Sequence, residues 1–515
     1  LTSAIVVGGG IAGLTAANTL LENGVADVTV FESNAEFGGV IASGELRLID
    51  GSKIAIDVGA ESFALTSPAT KTLIADIGLT DSLAMPASAA AKQTLDSAFD
   101  SSSAVSPADT EASSAAQTGA AKSMTARIRT STGSFEIPAG VLGIPANLDD
   151  AAVANYLSQD ELAEAKALDA APWQFDPSSS QAITLGEVVR VRLGEAVLER
   201  LVTPVVAGVH ASHPDLIEAA AVSPSLLAAG AETGSLIGAV GAIRGKTAIP
   251  GAAVAGLVGG MHSLISRLSQ HLSERGVKLE VGSRVLKIKH DGQTWAATLA
   301  TKTARADLLV VAVNSNLAAQ LLVETPQLAE PLSRIKTLDV AVVALSVTSQ
   351  KLNENPLGSG VLVAPEVNQT TSIGAKASTH INAKWPWVES RLPDSNHLLR
   401  LSYGRGSDLP PVSTPEDQLN LVAQAAADAR ALYDAGDIEL IDSQVIIWRD
   451  ALVQAKPGHG AILAEIEAAE QRLGNVAVVG VGLGGNGMTG IIAKTKLKVT
   501  NMVTRYGNNE MKEAQ

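Results

Sequence analysis

Apolar residues along the chain gather into short runs that glycine interrupts and into longer stretches with helical spacing. Ala4-Ile5-Val6-Val7 is a run of β-formers that Gly8-Gly9-Gly10 breaks. From Ile11 to Leu21 the apolar positions recur at helical spacing, and Asp27-Val28-Thr29-Val30-Phe31 is a second β-branched run ending at Glu32. The pattern predicts a strand–helix–strand unit at the start of the chain. Further strand-like runs stand at 278–281, 285–288, 307–313 and 340–347, and helices are predicted across 149–201 and at 415–433. The chain closes with Val476-Ala477-Val478-Val479, a glycine cluster and a helix-compatible run from Gly490 onward. No fixed-period repeat is present.

Two stretches depart from this pattern. Residues 87–122 are dominated by Ala, Ser, Thr and Asp, and cannot bury enough surface to offset the entropy of ordering them, so a surface insertion is expected. The longest charge-free stretch in the middle of the chain, 247–266, contains Pro250, Gly251, Gly256, Gly259, Gly260 and His262, a poor composition for a membrane-spanning helix.

Composition narrows the function classes. A length of 515 residues predicts two or three domains, and 46% apolar with 18% charged residues describes a folded chain with a large core. Aromatics are only 3%, so Ala, Val, Leu and Ile must build that core. Lys and Arg number 38 against 53 Asp and Glu, a net charge of −15 that argues against a general nucleic-acid binder. Cysteine is absent, which removes disulfides, Fe–S clusters, thiolate zinc sites and cysteine nucleophiles. His210 and His213 lack a third ligand in sequence, so no metal site is expected. The first residues carry no basic segment of the kind that opens a signal peptide; a soluble cytoplasmic protein without a transmembrane anchor is the expectation.

The chemistry begins at Gly8-x-Gly10-x-x-Gly13, which sits between the predicted strand and helix. The first glycine permits the tight turn, the second lets backbone approach a pyrophosphate, and the third lets helix and strand pack closely. Free N–H groups at the helix start then face the phosphates. Glu32 follows nineteen residues after Gly13, at the end of the second strand, where a carboxylate can accept hydrogen bonds from ribose hydroxyls. NAD and FAD proteins share this much. The Gly38-Gly39 pair just beyond the acid is similar to flavoproteins of the glutathione-reductase and amine-oxidase type, which favours FAD. A second cluster, Gly480-Val481-Gly482-Leu483-Gly484-Gly485-Asn486-Gly487, leaves only 28 residues after it, too few for a second dinucleotide unit. The expectation is that this strand and helix return to the first domain, with the helix start toward the flavin ring, where its dipole favours reduced flavin.

Several further segments carry a family likeness: Asp57-Val58-Gly59-Ala60-Glu61-Ser62-Phe63; the stretch from Thr203 to Asp215 with Gly208-Val209-His210-Ala211; Gly259-Gly260-Met261-His262-Ser263-Leu264; and Ala455-Lys456-Pro457-Gly458-His459. With these the chain resembles the FAD-dependent porphyrinogen oxidases, within the amine-oxidase-like flavoproteins, over nearly its whole length except 87–122. The resemblance implies an α/β architecture: a Rossmann-like FAD domain from 1–85, 205–320 and 440–515, a mainly helical domain at 86–204 and an α+β substrate domain at 321–439. It implies that Gly8, Gly9, Gly10, Ile11, Ala12 and Gly13 bind pyrophosphate, and that Glu32, with Ser33 beside it, binds ribose. It further implies that Gly39, Val40, Gly59, Ala60, Glu61 and Ser62 line the flavin, that Val285 lies at the adenine end, and that Trp448, Asn486, Gly487 and Met488 lie near the isoalloxazine. Val40 stands where relatives often carry Lys, Arg or Trp, and Asn486-Gly487-Met488-Thr489-Gly490 departs from the family's usual pattern.

The implied activity is the six-electron oxidation of a porphyrinogen to a porphyrin, with O2 reduced to hydrogen peroxide. No catalytic side chain is assigned, because flavin N5 carries the chemistry. Arg244, Lys246, Arg405 and Arg449 are candidate partners for the substrate's propionates, since Arg binds carboxylate in bidentate fashion. The soluble composition, the lack of an apolar anchor and the acidic surface favour tetracarboxylate coproporphyrinogen III over protoporphyrinogen IX, and transient contact with the next haem-pathway enzyme is implied. The rivals are another amine-oxidase-like flavoenzyme, for which four Tyr and six Phe supply few residues for an aromatic cage, and a non-catalytic flavin- or porphyrin-binding protein.

Overall fold

Five short apolar runs pair side by side in parallel, in the order Lys278–Glu280, Asp27–Phe31, Ser3–Val7, Leu308–Val311, Val476–Val478. The computed structural model in which they do so describes residues 2–65, 67–87, 125–177, 182–247, 254–406, 408–484 and 487–513. The expected insertion at 87–122 lies outside these residues except for Ala87.

Successive side chains of a strand point to opposite faces, and both faces of this sheet are covered, which is why its strands read as unbroken apolar runs. Ala4, Val6, Val28, Val30, Leu308 and Val310 pack with the helices Ile11–Glu22, His262–Glu274 and Met488–Glu513. Ile5, Val7, Phe31, Leu309 and Val311 pack on the other side, against the antiparallel strands Val285–His290, Trp295–Leu299 and Thr303–Ala306 and the helices Ser315–Leu321, Pro326–Arg334 and His459–Leu473.

A second, seven-stranded sheet runs in the order Glu439–Gln454, Lys336–Thr348, Asn396–Tyr403, Ala377–His380, Gly360–Val363, Arg127–Arg129, Ser134–Glu136. One face, carrying Val343, Leu345, Leu399 and Leu401, packs on a helical layer that includes Leu185–Val197 and Pro415–Tyr433. The opposite face, carrying Ala344, Leu398, Ile446 and Trp448, packs on the hairpin Ser43–Arg47/Lys53–Asp57.

The expected domain boundaries need correction. Glu439–Gln454 belongs to the second sheet along its whole length, because it pairs with Lys336–Thr348, and Arg127–Glu136 enters the same sheet instead of a helical domain. Helices Thr203–His210 and Leu236–Thr247 bury Val206, Leu236 and Val240 in the helical layer, not the cofactor domain. Helices Ser315–Leu321 and Pro326–Arg334 bury Leu321, Leu328 and Leu332 against the first sheet, although 321–439 was expected to form the substrate domain. Among the described residues no single helix is long and apolar enough to cross a membrane.

The outer strand Val476–Val478 exposes an unpaired edge that an ion pair closes. Glu470 Oε1 accepts from the Val478 N–H at 2.6 Å, Lys498 Nζ donates to the Val478 carbonyl at 2.9 Å, and the two side chains meet at 2.8 Å. In the second sheet, His397 Nε2 lies 3.1 Å from the Ser349 carbonyl and therefore carries the proton; its Nδ1 accepts from His380 Nε2 at 3.1 Å. His380 is fully buried, and burial, with the neighbouring His397, pushes its pKa from 6.5 down to about 3.

Lys498→Met leaves Glu470 buried without its cation, and urea denaturation is expected to show a loss of about 3 kcal/mol, partly recovered by adding Glu470→Leu. His380 is neutral in the fold yet protonates in the unfolded chain below its ordinary pKa of 6.5, so its contribution is complete above that pH and is lost as pH falls toward about 3. Denaturation midpoints measured from pH 7 to pH 4 should fall, and should fall less steeply in His380→Gln.

Candidate active site

The carboxyl ends of the parallel strands open onto a cavity of about 350 Å³, at the crevice where the chain order reverses between Ser3–Val7 and Leu308–Val311. Its floor is the turn Gly8–Ala12. Gly8 has φ +107°, and a Cβ there would lie 2.4 Å from the Ala312 carbonyl oxygen. Gly13 does not face the cavity. A Cβ on it would lie 1.8 Å from the Gly8 carbonyl oxygen, so its role is to seat the helix on the strand end. That helix begins at Gly10 with no side-chain cap and no acidic residue in its first turn, which leaves its N–H groups and positive dipole end for an anionic ligand.

Glu32 is buried at the end of Asp27–Phe31 and lines the cavity. One carboxylate oxygen accepts from the Gly9 N–H at 2.7 Å and the other from the Asn34 N–H at 2.8 Å. Ser33, Gly39, Val40 and Val285 share the lining. Trp448 reaches in from the second sheet, with Nε1 donating to the Val58 carbonyl at 3.0 Å, and Arg449 follows it, paired with Asp339 at 2.5 Å.

The 59–62 turn stands one layer back. Ala60 N–H donates to the Val40 carbonyl at 2.9 Å and so supports a residue of the lining, while Ser62 is half-buried outside it. Glu61 turns away from the cavity into a pair with Lys384, and Arg400 lies 3.2 Å from its second oxygen. Burial pushes Glu61 up, but the two cations outweigh it and hold the carboxyl at about 2. Arg400 also donates to the Gly59 carbonyl at 2.7 Å. Beside this cluster Asp57 accepts from the Met261 N–H at 2.8 Å, and burial raises its pKa to about 6.

The terminal glycine cluster does return to the first sheet, contributing Gly480, Val481 and Ile491 to the lining. His459, buried, donates through Nε2 to the Gly482 carbonyl at 3.0 Å and fixes that turn. Met488 is the buried first residue of the last helix, Gly487 is exposed, and neither lines the cavity; Asn486 lies outside the described residues.

Two expected carboxylate partners are elsewhere. Arg405 folds inward to Asn368 Oδ1 and the Val363 carbonyl, because the Asn396–Tyr403 strand ends in a turn that aims it back under the sheet. Arg244 is exposed on Leu236–Thr247, donates to the Gly140 carbonyl at 3.1 Å and is not part of the cavity lining. The Lys246 side chain lies outside the described residues. His213 Nδ1 accepts from the Asp215 N–H at 3.2 Å, and among the described residues no group of three or more His, Asp or Glu is arranged to hold a metal. Sequence reasoning missed Ala312, Val313 and Asn314, which follow a correctly located strand and could have been named from the strand-end rule, and Asp450, which no motif marks.

The model of the family described as flavin containing amine oxidoreductase matches residues 11–478. A coproporphyrinogen III oxidase of Mycobacterium leprae is 30% identical over 476 residues, covering 90% of each chain. One of Mycobacterium tuberculosis H37Rv is 30% identical over 513 residues, covering 97% of this chain and 96% of its own. A crystal structure assigned provisionally as a protoporphyrinogen oxidase, from Exiguobacterium sp. 255-15, is 22% identical and superposes with a TM-score of 0.76 over 98% of this chain and 99% of its own. The chain belongs to the flavin containing amine oxidoreductase family and is an FAD-dependent oxidoreductase.

Gly13→Ala forces the first helix away from Gly8. Equilibrium unfolding is expected to show a loss of about 1–3 kcal/mol, and the purified variant should retain less flavin, read from its visible absorption.

Proposed function

We propose that this flavoprotein oxidises coproporphyrinogen III to coproporphyrin III, with O2 as the electron acceptor. The observation that carries this reading is near-full-length similarity, at 30% identity, to mycobacterial proteins named coproporphyrinogen III oxidase. The glycine cradle and buried carboxylate at the strand ends fit FAD on chemical grounds: backbone N–H groups for a pyrophosphate and an acceptor for ribose hydroxyls.

In this reading residues 8–12 hold the pyrophosphate and Glu32 the ribose, with Ser33 beside it. Val285 borders the adenine end. Gly39, Val40 and Trp448 border the ring, backed by Gly59 to Ser62. When bound, FAD accepts the hydrogen removed from the methylene bridges and passes the electrons to O2. Over the whole reaction the substrate gives up six electrons and six protons, and three O2 become three hydrogen peroxide. The protein's share is orientation and exclusion of water. Arg449, at the cavity wall and paired with Asp339, is the side chain best located to exchange that partner for a propionate carboxylate. A cytoplasmic location and transient contact with the next haem-pathway enzyme complete the proposal, supported by the acidic, cysteine-free composition.

The test is oxygen uptake and porphyrin fluorescence with the flavin-loaded protein. Coproporphyrinogen III should yield coproporphyrin with about three O2 consumed per porphyrin. Product formation no faster than autoxidation overturns the reading, and a clear preference for protoporphyrinogen IX overturns the choice of substrate.

A further inference from the structure

The strand Glu439–Gln454 does not run evenly beside Lys336–Thr348. Leu452 pairs with Leu338 and Trp448 with Val340, so Arg449, Asp450 and Ala451 stand opposite the single residue Asp339. Such a bulge bends its strand and re-aims side chains. All three bulged residues, and Trp448 before them, line the cavity.

At the centre of the bulge Asp450 has φ +51°, a left-handed conformation that costs an L residue free energy and persists only where its surroundings impose it. Its surroundings do so from three directions. The Asp450 N–H donates to Asp339 Oδ1 at 2.8 Å, while the other Asp339 oxygen takes Arg449 at 2.5 Å. Asp450 Oδ1 accepts from Asn316 Nδ2 at 2.7 Å and from Thr337 Oγ1 at 2.5 Å. Asn316 belongs to Ser315–Leu321, whose cap Asn314 and whose Leu317 and Leu321 form the neighbouring cavity wall. One side chain therefore joins two walls that come from different sheets.

We propose that Asp450 is a positioning residue for the cofactor: its left-handed backbone and its Oδ1 fix the Trp448–Ala451 wall against the wall built by the Asn314 helix. This rests on the assignment of the cavity to FAD.

Apoprotein reconstituted with FAD tests it, by quenching of flavin fluorescence for affinity and by the position of the visible flavin bands for ring environment. Asp450→Asn keeps an oxygen acceptor and tolerates the left-handed region, so it should bind like the parent. Asp450→Gly keeps the backbone but loses the oxygen, and should bind FAD about tenfold more weakly with shifted bands. Asp450→Ala loses both and should be weaker still. Thr337→Val and Asn316→Ala remove the donors without touching the bulge. They should shift the same bands in the same direction, and they decide the matter if Asp450→Ala does not fold. A residue that only stabilised the sheet would lower the melting temperature in every variant and leave affinity and bands as in the parent; that result, or equal weakening in Asp450→Asn, overturns the proposal. A parent protein that takes up no flavin overturns the cavity assignment and this inference with it.

Discussion

The contact between Gly13 and the Gly8 carbonyl is the constraint on which the rest depends. A side chain at Gly13 would occupy space already filled 1.8 Å away, so the first helix can sit at the strand end only because that position has none. Its position directs the uncapped helix start toward the strand ends, and the turn before it passes close enough to Ala312 to close the floor of the cavity. Everything that lines the cavity from elsewhere, whether from 283–285, 312–314, 448–451 or 480–481, is placed relative to that floor.

The second sheet has to be held against this floor, and charge does much of the holding. Glu61 meets Lys384 and Arg400, both from the second-sheet layer, and Arg400 also takes the Gly59 carbonyl. All three side chains are largely buried, so the pairing offsets desolvation and adds specificity of position more than stability. Asp57 ties the same turn to the start of His262–Glu274. Trp448 then crosses from sheet to cavity with its indole N–H anchored on Val58. The first-sheet domain and the second-sheet layer meet through polar contacts of defined direction.

The first strand–turn–helix–strand was legible because every level of the sequence agrees there: β-formers, glycines, helical spacing and a terminal acid fall in order. The return of 476–478 to the same sheet was expected from an apolar run followed by a glycine cluster, and the strand does pair with Leu308–Val311. The domain limits were less legible. Glu439–Gln454 is sixteen residues long and serves the second sheet, yet its bulged centre contributes to the first domain's cavity, and no hydrophobic pattern encodes a strand shared in that way. Side-chain direction was the other loss. Arg405 follows the end of a strand and Arg449 lies in a bulge within one, and local backbone geometry sends the first under the sheet and the second to the cavity wall. Glu61 sits in a flavin-like motif and still turns away, because two cations wait on the other side.

Charge also bears on how an anionic substrate could be received by so acidic a chain. At physiological salt, fields fade over about 8 Å, so a net charge of −15 acts mainly through the groups nearest the site. The charged groups in the cavity lining are Glu32, Arg284, Arg449 and Asp450. Glu32 is engaged by backbone N–H groups, and Asp450 by Asn316 and Thr337. Arg449 has a carboxylate partner but is more than half exposed, so it can change partners without a large desolvation cost. The lining therefore separates its charges by duty: carboxylates satisfied within the protein shape the walls, and exposed guanidinium groups meet what comes from solvent. The multiply carboxylated substrate proposed above would need that division, since a free carboxylate in the wall would repel it more strongly than the distant surface does.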